Sequence, residues 1–336
     1  MPTSPPTARR RKMANRRLLS LMAGLAFAAA AGPSRAQADY PNRPVKIMVG
    51  FTPGGGPDIT ARHVAQKLSE SWGQQVIVEN RPGAGGTLAA AQVARAAPDG
   101  YTLLSVSSAH AAAAAIYPKL PYDTVGELAG ITQTGSSKYV LVVPPSLGVK
   151  SLRELLDTAK AKPGQFNFSS AGVGSGTHFA AEIFKAMAAI DVVHVPFKGI
   201  PEALAETVAG RVQFFMAPIA NSVNYVKDGR LLGLGVSSLQ RDPLLPEVPT
   251  VDEAGVAGYQ SELWFGLLTA SGVPRAIIAK LNRDIVRILG EPDTRSRWGP
   301  IGIEPRPSAP EGFDRMIREE IALFSRIARA ASIKAE

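Results

Sequence analysis

An α/β fold with parallel sheets, laid out as two units of one design, is what the sequence predicts. Three observations lead there. Short β-branched runs alternate with helical periods from residue 40 onward, which indicates βαβ crossovers. A strand, a glycine-rich loop and a helix occur in succession once in each half of the chain. The 336 residues suffice for one large domain or two of ordinary size.

The first unit opens with Val45-Lys46-Ile47-Met48-Val49, a buried strand. A glycine-rich turn covers 52–57. Ala61, Val64, Ala65, Leu68 and Trp72 then follow at helical spacing, with Gly73 as a stop. Residues 76–78 form the next strand, 82–86 a second glycine turn, and an alanine-rich helix extends through about Ala97. Pro98-Asp99-Gly100 turns the chain into a strand over 102–106. The second unit begins near Tyr139 with a strand over 139–143, ended by Pro144-Pro145. Ser151 with Glu154 reads as a capping box opening a helix to about Lys160. A strand over 166–168 leads into the loop 170–177, and a helix covers 178–189. Strands are expected at 192–195, 212–216, 231–236 and 263–268, and helices at 274–289 and 311–333.

Composition narrows the function classes. With no cysteine, the chain has no disulfide framework, thiolate zinc site or cysteine nucleophile. The net charge of +9 would ordinarily point to nucleic acid or an anionic membrane. Seven of the 37 basic residues, however, lie in residues 1–38, which hold no acid, leaving 30 basic against 28 acidic residues. That stretch has the three parts of a secretory signal: a basic n-region, an apolar run over 18–31 broken only by Ser20, and Ala36-Gln37-Ala38 as a cleavage site. The signal peptide is thus 1–38, cleaved near Ala38, with the mature start near Asp39. At ~1.5 Å per residue the apolar run spans about 21 Å, short of the ~30 Å hydrocarbon core, so cleavage is favoured over anchoring. Arg16-Arg17 allows a twin-arginine signal; a Sec signal starting at Met13 fits as well. The expected mature protein is exported, nearly neutral and without nucleic acid as a partner.

Two loops carry the chemistry. Thr52-Pro53-Gly54-Gly55-Gly56-Pro57-Asp58 places main-chain N–H groups at a strand end, where the following helix adds the positive end of its dipole. This suits an anion without any basic side chain; a plain βα turn reads the same residues equally well. Nucleotide loops do not fit. No G-x-x-x-x-G-K-[ST] occurs, and the G-x-G at 54–56, 83–85 and 172–174 is followed at the last glycine position by Ile59, Leu88 and Thr177. The second loop, from Ser170 to His178, adds hydroxyls at Ser170, Ser175 and Thr177. A nucleophile elbow around Ser175 would need glycine where Val173 and Thr177 stand. An exported serine hydrolase using Ser175 and His178 therefore rests on residue types alone. The four histidines lack metal-site spacing. His63 is expected on a helix surface and His194 in the core or a hinge, while His110 and His178 follow strand ends and are cleft candidates. The acids show no paired-carboxylate pattern. Trp264 and Phe265 are either core or pocket wall. No catalytic residue, metal or cofactor is assigned.

Residues 40–336 resemble the solute receptors of tripartite tricarboxylate transporters, the Bug proteins. The resemblance rests on Tyr40-Pro41-Asn42-Arg43-Pro44-Val45-Lys46, Pro53-Gly54-Gly55-Gly56 with Asp58, and Val78-Glu79-Asn80-Arg81-Pro82-Gly83-Ala84-Gly85-Gly86. It continues through 98–104, Ser170-Ala171-Gly172 with Gly174, Ser175 and His178, 193–199, and 246–251. It implies a two-domain flytrap of periplasmic-binding-protein type II-like fold, each domain a mostly parallel sheet flanked by helices, joined by crossing hinge strands. Domain 1 is 39–139 plus 265–336, and domain 2 is 140–264. The implied role is a monomeric, non-catalytic periplasmic receptor handing a small carboxylate to membrane transporter subunits; a sensory receptor would look the same. By the resemblance, Phe51, Pro53, Gly54, Gly55, Gly56, Asp58, Ser107 and His110 face the ligand from one side. Ser170, Ala171, Gly172, Gly174, Ser175, Thr177, His178, Phe197, Ala217 and Trp264 face it from the other. Two departures bear on the ligand. Pro57 stands where the family commonly has Thr or Ser, and Phe215-Met216-Ala217-Pro218 lacks an acid often found there, which disfavours an amino-acid ligand.

Overall fold

Strand β4, Leu128–Val143, is the element on which the rest is arranged. In the computed structural model, which describes Met1 and residues 40–334, this one strand takes part in two sheets. Its first part pairs antiparallel with β9 (Glu262–Ala270) from Leu128↔Ala270 to Lys138↔Glu262. From Tyr139 on it pairs antiparallel with β7 (Phe214–Pro218) and β8 (Leu232–Val236). β9 continues outward to β3 (Thr102–Ser107), β1 (Val45–Val49) and β2 (Val76–Asn80), the last three mutually parallel. On the other side, β7 is followed by β5 (Asn167–Ser170) and β6 (Val193–Pro196), again parallel. A short β10 (Ile303–Pro305) also pairs with β4. Residues Arg43–Glu336 form one compact unit. The leader expected over 1–38, its cleavage at Ala38 and the start at Asp39 lie outside the described residues.

Helices cover both faces of each sheet. α1 (Gly56–Trp72), α2 (Thr87–Ala94), α3 (Ala109–Ile116), α4 (Leu152–Ala161) and α5 (Gly176–Ala188) come first in the chain. α6 (Ile200–Val208), α7 (Ile219–Lys227), α8 (Arg275–Leu289), α9 (Pro292–Trp298) and α10 (Pro310–Ala330) follow. α2, α3 and α10 bury Leu104, Val106 and Leu268 on one face of the first sheet. In the second sheet, α4 and α5 cover Phe168, Phe214 and Met216, while α6 and α7 cover Val140, Val142 and Phe215. Each such fully buried side chain contributes about 1.5–3 kcal/mol.

Most sequence-derived boundaries stand within two residues, and the departures have local causes. Gly73 ends α1 in the left-handed conformation, its N–H donating to Ser69 O, as expected of a stop. Ser151 caps α4 by accepting from Glu154 N, but Glu154 Oε2 accepts from Lys150 N rather than closing the box on Ser151. α2 ends at Ala94, not near Ala97, because the chain is already turning toward Pro98. β4 starts at Leu128 instead of Tyr139. Its first part is polar and small because neighbours press in: a Cβ on Gly130 would meet Asp314 at 2.7 Å, and one on Gly135 would meet Glu304 O at 2.9 Å. α3 is almost all alanine, is buried on several sides and has no amphipathic period to read.

Candidate functional site

The first loop leaves β1, passes Gly50 and Phe51, and enters α1 at Gly56. Asp58 holds it. Its carboxylate accepts from Gly54 N at 3.0 Å, from Asn80 Nδ2 at 2.8 Å and from Arg62 Nε at 3.0 and 3.1 Å. Asn80 also donates to Phe51 O at 3.0 Å, tying β2 to the loop. Asp58 is only 2% exposed. Burial pushes its pKa up, but the bonds from Arg62, Gly54 N and Asn80 outweigh this and hold it below the ordinary aspartate value. Asp58 was expected among the ligand contacts; its carboxylate is instead turned into the loop as a brace. The N–H groups of Gly55 and Gly56 have no partner among the described residues and stand at the positive end of α1. Gly56 has to be glycine, since a Cβ there would lie 2.1 Å from the ring of Phe265. Pro53 and Gly54 are exposed at the loop tip.

The second loop leaves β5 at Ser170 and enters α5 at Gly176. It is bonded mainly to itself. Ala171 N donates to Thr177 Oγ1 (2.9 Å), Gly172 N to Ser170 Oγ (3.1 Å), Gly174 N to His178 Nδ1 (3.2 Å) and Ser175 N to Gly172 O (3.1 Å). Ser175 is the N-cap, its Oγ accepting from His178 N and bonding Thr177 Oγ1. The first unpartnered N–H groups of α5 are those of Gly176 and Thr177, among the described residues. His178 and His194 stack with ring centroids 3.8 Å apart, and His194 Nε2 lies 2.6 Å from Ser170 Oγ. Burial lowers the pKa of His178 to about 3, helped by the neighbouring His194, and that of His194 to about 4. Both rings are therefore neutral, and the Gly174 bond fixes His178 with its proton on Nε2. The imidazole of His178 bonds Gly174, not the hydroxyl of Ser175, so the two do not form a nucleophile–base pair.

The loops converge on β9. Phe265 lies under Gly56, and a Cβ on Gly176 would approach Leu263 at 3.2 Å. Leu263 and Phe265 are alternate residues of one strand, on one face and about 6.6–6.8 Å apart along it. Two open helix N-termini from different sheets thus meet one strand within two residues.

The remaining expected contacts divide. Phe51, Ser107 and His110 line a hole of about 10 Å³ together with Gly86 and Tyr122, the size of one water. His110 Nε2 has no partner among the described residues, and burial lowers that ring's pKa to about 4. Phe197 donates its N–H to Ser170 O and so fixes the loop's first carbonyl. Ala217 is fully buried in the core under α6 and α7. Trp264 is core: it packs edge-on against Phe313, and its indole N–H donates to Glu320, whose pKa burial raises to about 8. The larger cavity it borders, about 550 Å³ beside Lys138, Gln260 and Arg306, includes no residue of either glycine loop. His63 is not on the surface. It is buried under α9, bonding Thr294 Oγ1 at 2.7 Å and meeting Trp298 edge-on. Sequence reasoning missed the roles of Arg62, Asn80 and His194. Asn80 and His194 lie in the quoted motifs 78–86 and 193–199, which was the available signal. Among the described residues no His, Asp and Glu cluster could hold a metal, and no helix is long and apolar enough to cross a membrane.

Comparison with known proteins identifies the family. Residues 60–333 match the family model described as tripartite tricarboxylate transporter family receptor. Protein BugT of Bordetella pertussis is 32% identical over 321 residues, covering 95% of this chain and 98% of BugT. Rpa4515 of R. palustris, solved with adipate, is 32% identical with a TM-score of 0.82, over 88% of this chain and 99% of that one. MatC of Rhodopseudomonas palustris, solved with bound malate, is 34% identical with a TM-score of 0.78, over 86% of this chain and 99% of that one. With a family match across most of its length and relatives of this identity aligned nearly end to end, the chain belongs to the tripartite tricarboxylate transporter receptor family, the Bug-type periplasmic solute-binding proteins.

Proposed function

We propose that the chain captures a small carboxylate between loops 52–56 and 170–177 by lobe closure, and presents the closed form to the membrane subunits of a tripartite transporter. The observation that carries this is the convergence of two helix N-termini on β9, each with two unpartnered N–H groups. An acid there gains fixed donors and two dipole ends with no buried counter-charge to desolvate. Energies favour two loops over one. A charge-assisted hydrogen bond nets about 1.5–3 kcal/mol, whereas micromolar affinity needs about 8 kcal/mol. Adipate and malate in the two R. palustris structures make a dicarboxylate the first class to try. The lobes are 39–139 plus 265–336 and 140–264, hinged where β4 passes between the sheets and where the chain enters β9. The protein acts in the periplasm as a monomer after loss of residues 1–38, and binds without catalysis.

Calorimetry against malate, adipate, succinate, benzoate and aspartate tests this, with X-ray scattering of free and saturated protein. The expected result is micromolar or tighter binding of at least one dicarboxylate, with a smaller radius of gyration in the complex. Absence of binding across the panel, with an unchanged radius, would overturn it.

A further inference from the structure

Two hydroxyls outside the expected contact set converge on the N-terminus of α5. Ser108, at the turn between β3 and α3, and Tyr139, where β4 passes into the second sheet, are each 1% exposed. Among the described residues neither Ser108 Oγ nor Tyr139 OH has a hydrogen-bond partner beyond the other hydroxyl. A Cβ on Gly176 would lie 2.5 Å from Tyr139 OH and 2.8 Å from Ser108 Oγ, so both oxygens sit against the first residue of α5. The N–H groups of Gly176 and Thr177 at that helix end are also unpartnered among the described residues.

Buried hydroxyls without partners are unfavourable by about 1–3 kcal/mol each. Two hydroxyls hold two O–H donors, and bonding one to the other uses only one. With the two helical N–H groups, at least three donors then remain around this point. Among the described residues no main-chain carbonyl or carboxylate accepts from them. Such a cluster is completed by an acceptor with several lone pairs, and a carboxylate oxygen is that acceptor.

We infer that Ser108 and Tyr139 are ligand contacts of this receptor, donating to one carboxylate oxygen at the N-terminus of α5. This rests on the carboxylate-receptor reading above and adds to it a pair of side chains that makes closure depend on the ligand. Ser108 lies in the lobe 39–139 plus 265–336, and α5, whose first residue it sits against, lies in the lobe 140–264. The acceptor is thus bound fully only when the lobes meet. Gly176 belongs to the same device, because any side chain there would displace both oxygens.

The test uses Tyr139→Phe and Ser108→Ala in the mature protein, with calorimetry against malate, adipate and succinate, and thermal unfolding with and without each acid. Removing an unpartnered buried hydroxyl leaves the ligand-free protein as stable or more stable. Removing a ligand contact weakens binding. The expected signature is therefore an unchanged or higher melting temperature without ligand, about 10-fold weaker binding per variant, and a smaller ligand-induced rise in melting temperature. If the parent binds an acid and both variants keep its affinity, this inference fails while the receptor reading stands. If the parent binds none of the three acids, the variants are compared on whichever acid of the wider panel it binds, and if it binds none of that panel both fail. A variant that lowers the ligand-free melting temperature and keeps its affinity assigns the hydroxyl to structure and overturns the inference.

Discussion

Loop 52–55 is held by one buried, ionised carboxylate, and loop 171–175 by neutral hydroxyls and imidazoles. Asp58 gathers Gly54 N, Asn80 and Arg62 on two oxygens. In the second loop the same task is divided among Thr177, Ser170, Ser175 and His178, each holding one N–H. Both arrangements end in the same feature, a helix N-terminus whose first two N–H groups remain open. The shared requirement is a rigid loop whose outermost donors have no internal acceptor. How the rest is satisfied differs, and that difference determines how each loop fails. A concentrated charge fails all at once when removed. A distributed neutral network fails in steps, and the histidines make it sensitive to acid.

The sharpest way to break the first loop is Asp58→Ala. It strips Gly54 N–H and Asn80 of their shared acceptor inside the protein, while Arg62, half-exposed, turns to water. The expected loss is about 3 kcal/mol of stability, with binding of the cognate acid reduced at least 100-fold because Gly55 and Gly56 lose their fixed positions. Asp58→Asn keeps one acceptor and should fall between. Denaturant unfolding and calorimetry on the same samples check both.

Acid separates the loops next. His178 and His194 have folded pKa values near 3 and 4, below the ordinary value of 6.5. A depressed histidine pKa means the unfolded chain binds protons first. Stability is thus full above about pH 6.5 and falls as pH drops toward 4. At pH 5 the loss is about 2 kcal/mol for each such histidine. Asp58 behaves oppositely in window: its contribution holds above the ordinary 3.8 and is lost only below that. Between pH 7 and 4.5 the histidines pull the unfolding free energy down while Glu320, raised to about 8, pulls it the other way, and His178→Gln should remove about one proton of the downward slope. His110, also lowered to about 4, adds to the parent's slope but not to this difference. An unchanged slope in the variant would mean His178 is not the buried neutral ring the second loop depends on.

How much of this the sequence disclosed follows from what one-dimensional patterns record. Strands such as 45–49, and glycine loops ending them, are periodic and local, so the α/β alternation and both loops were legible. The first part of β4 was not, because Gly130 and Gly135 are small to admit Asp314 and the chain at Glu304, far away in sequence. α3 was missed because a buried alanine helix has no polar face. At the site, loop glycines could be named from spacing, but where a side chain points could not. Asp58 was a ligand contact by the resemblance; Asn80 and Arg62, which turn its carboxylate inward, come from β2 and the next turn of α1. Ala217 and Trp264 sit at strand ends as expected, yet their strands present those positions to the core.

Ser175→Ala is the smallest change and the one that most sharpens the comparison. In the second loop Ser175 is a cap: its Oγ accepts from His178 N at 3.2 Å and bonds Thr177 Oγ1 at 2.9 Å. Losing a serine N-cap removes about 1 kcal/mol, and Thr177 still holds Ala171 N. Melting temperature should fall by a few degrees and affinity by less than 10-fold, in contrast to Asp58→Ala. Were Ser175 a nucleophile, ester turnover would be present in the parent and abolished in the variant. The imidazole of His178 accepts from Gly174 and leaves the hydroxyl without a base, so no turnover is expected from either protein. A large loss of binding in Ser175→Ala would show that the second loop, like the first, hangs on one group, and the contrast between them would collapse.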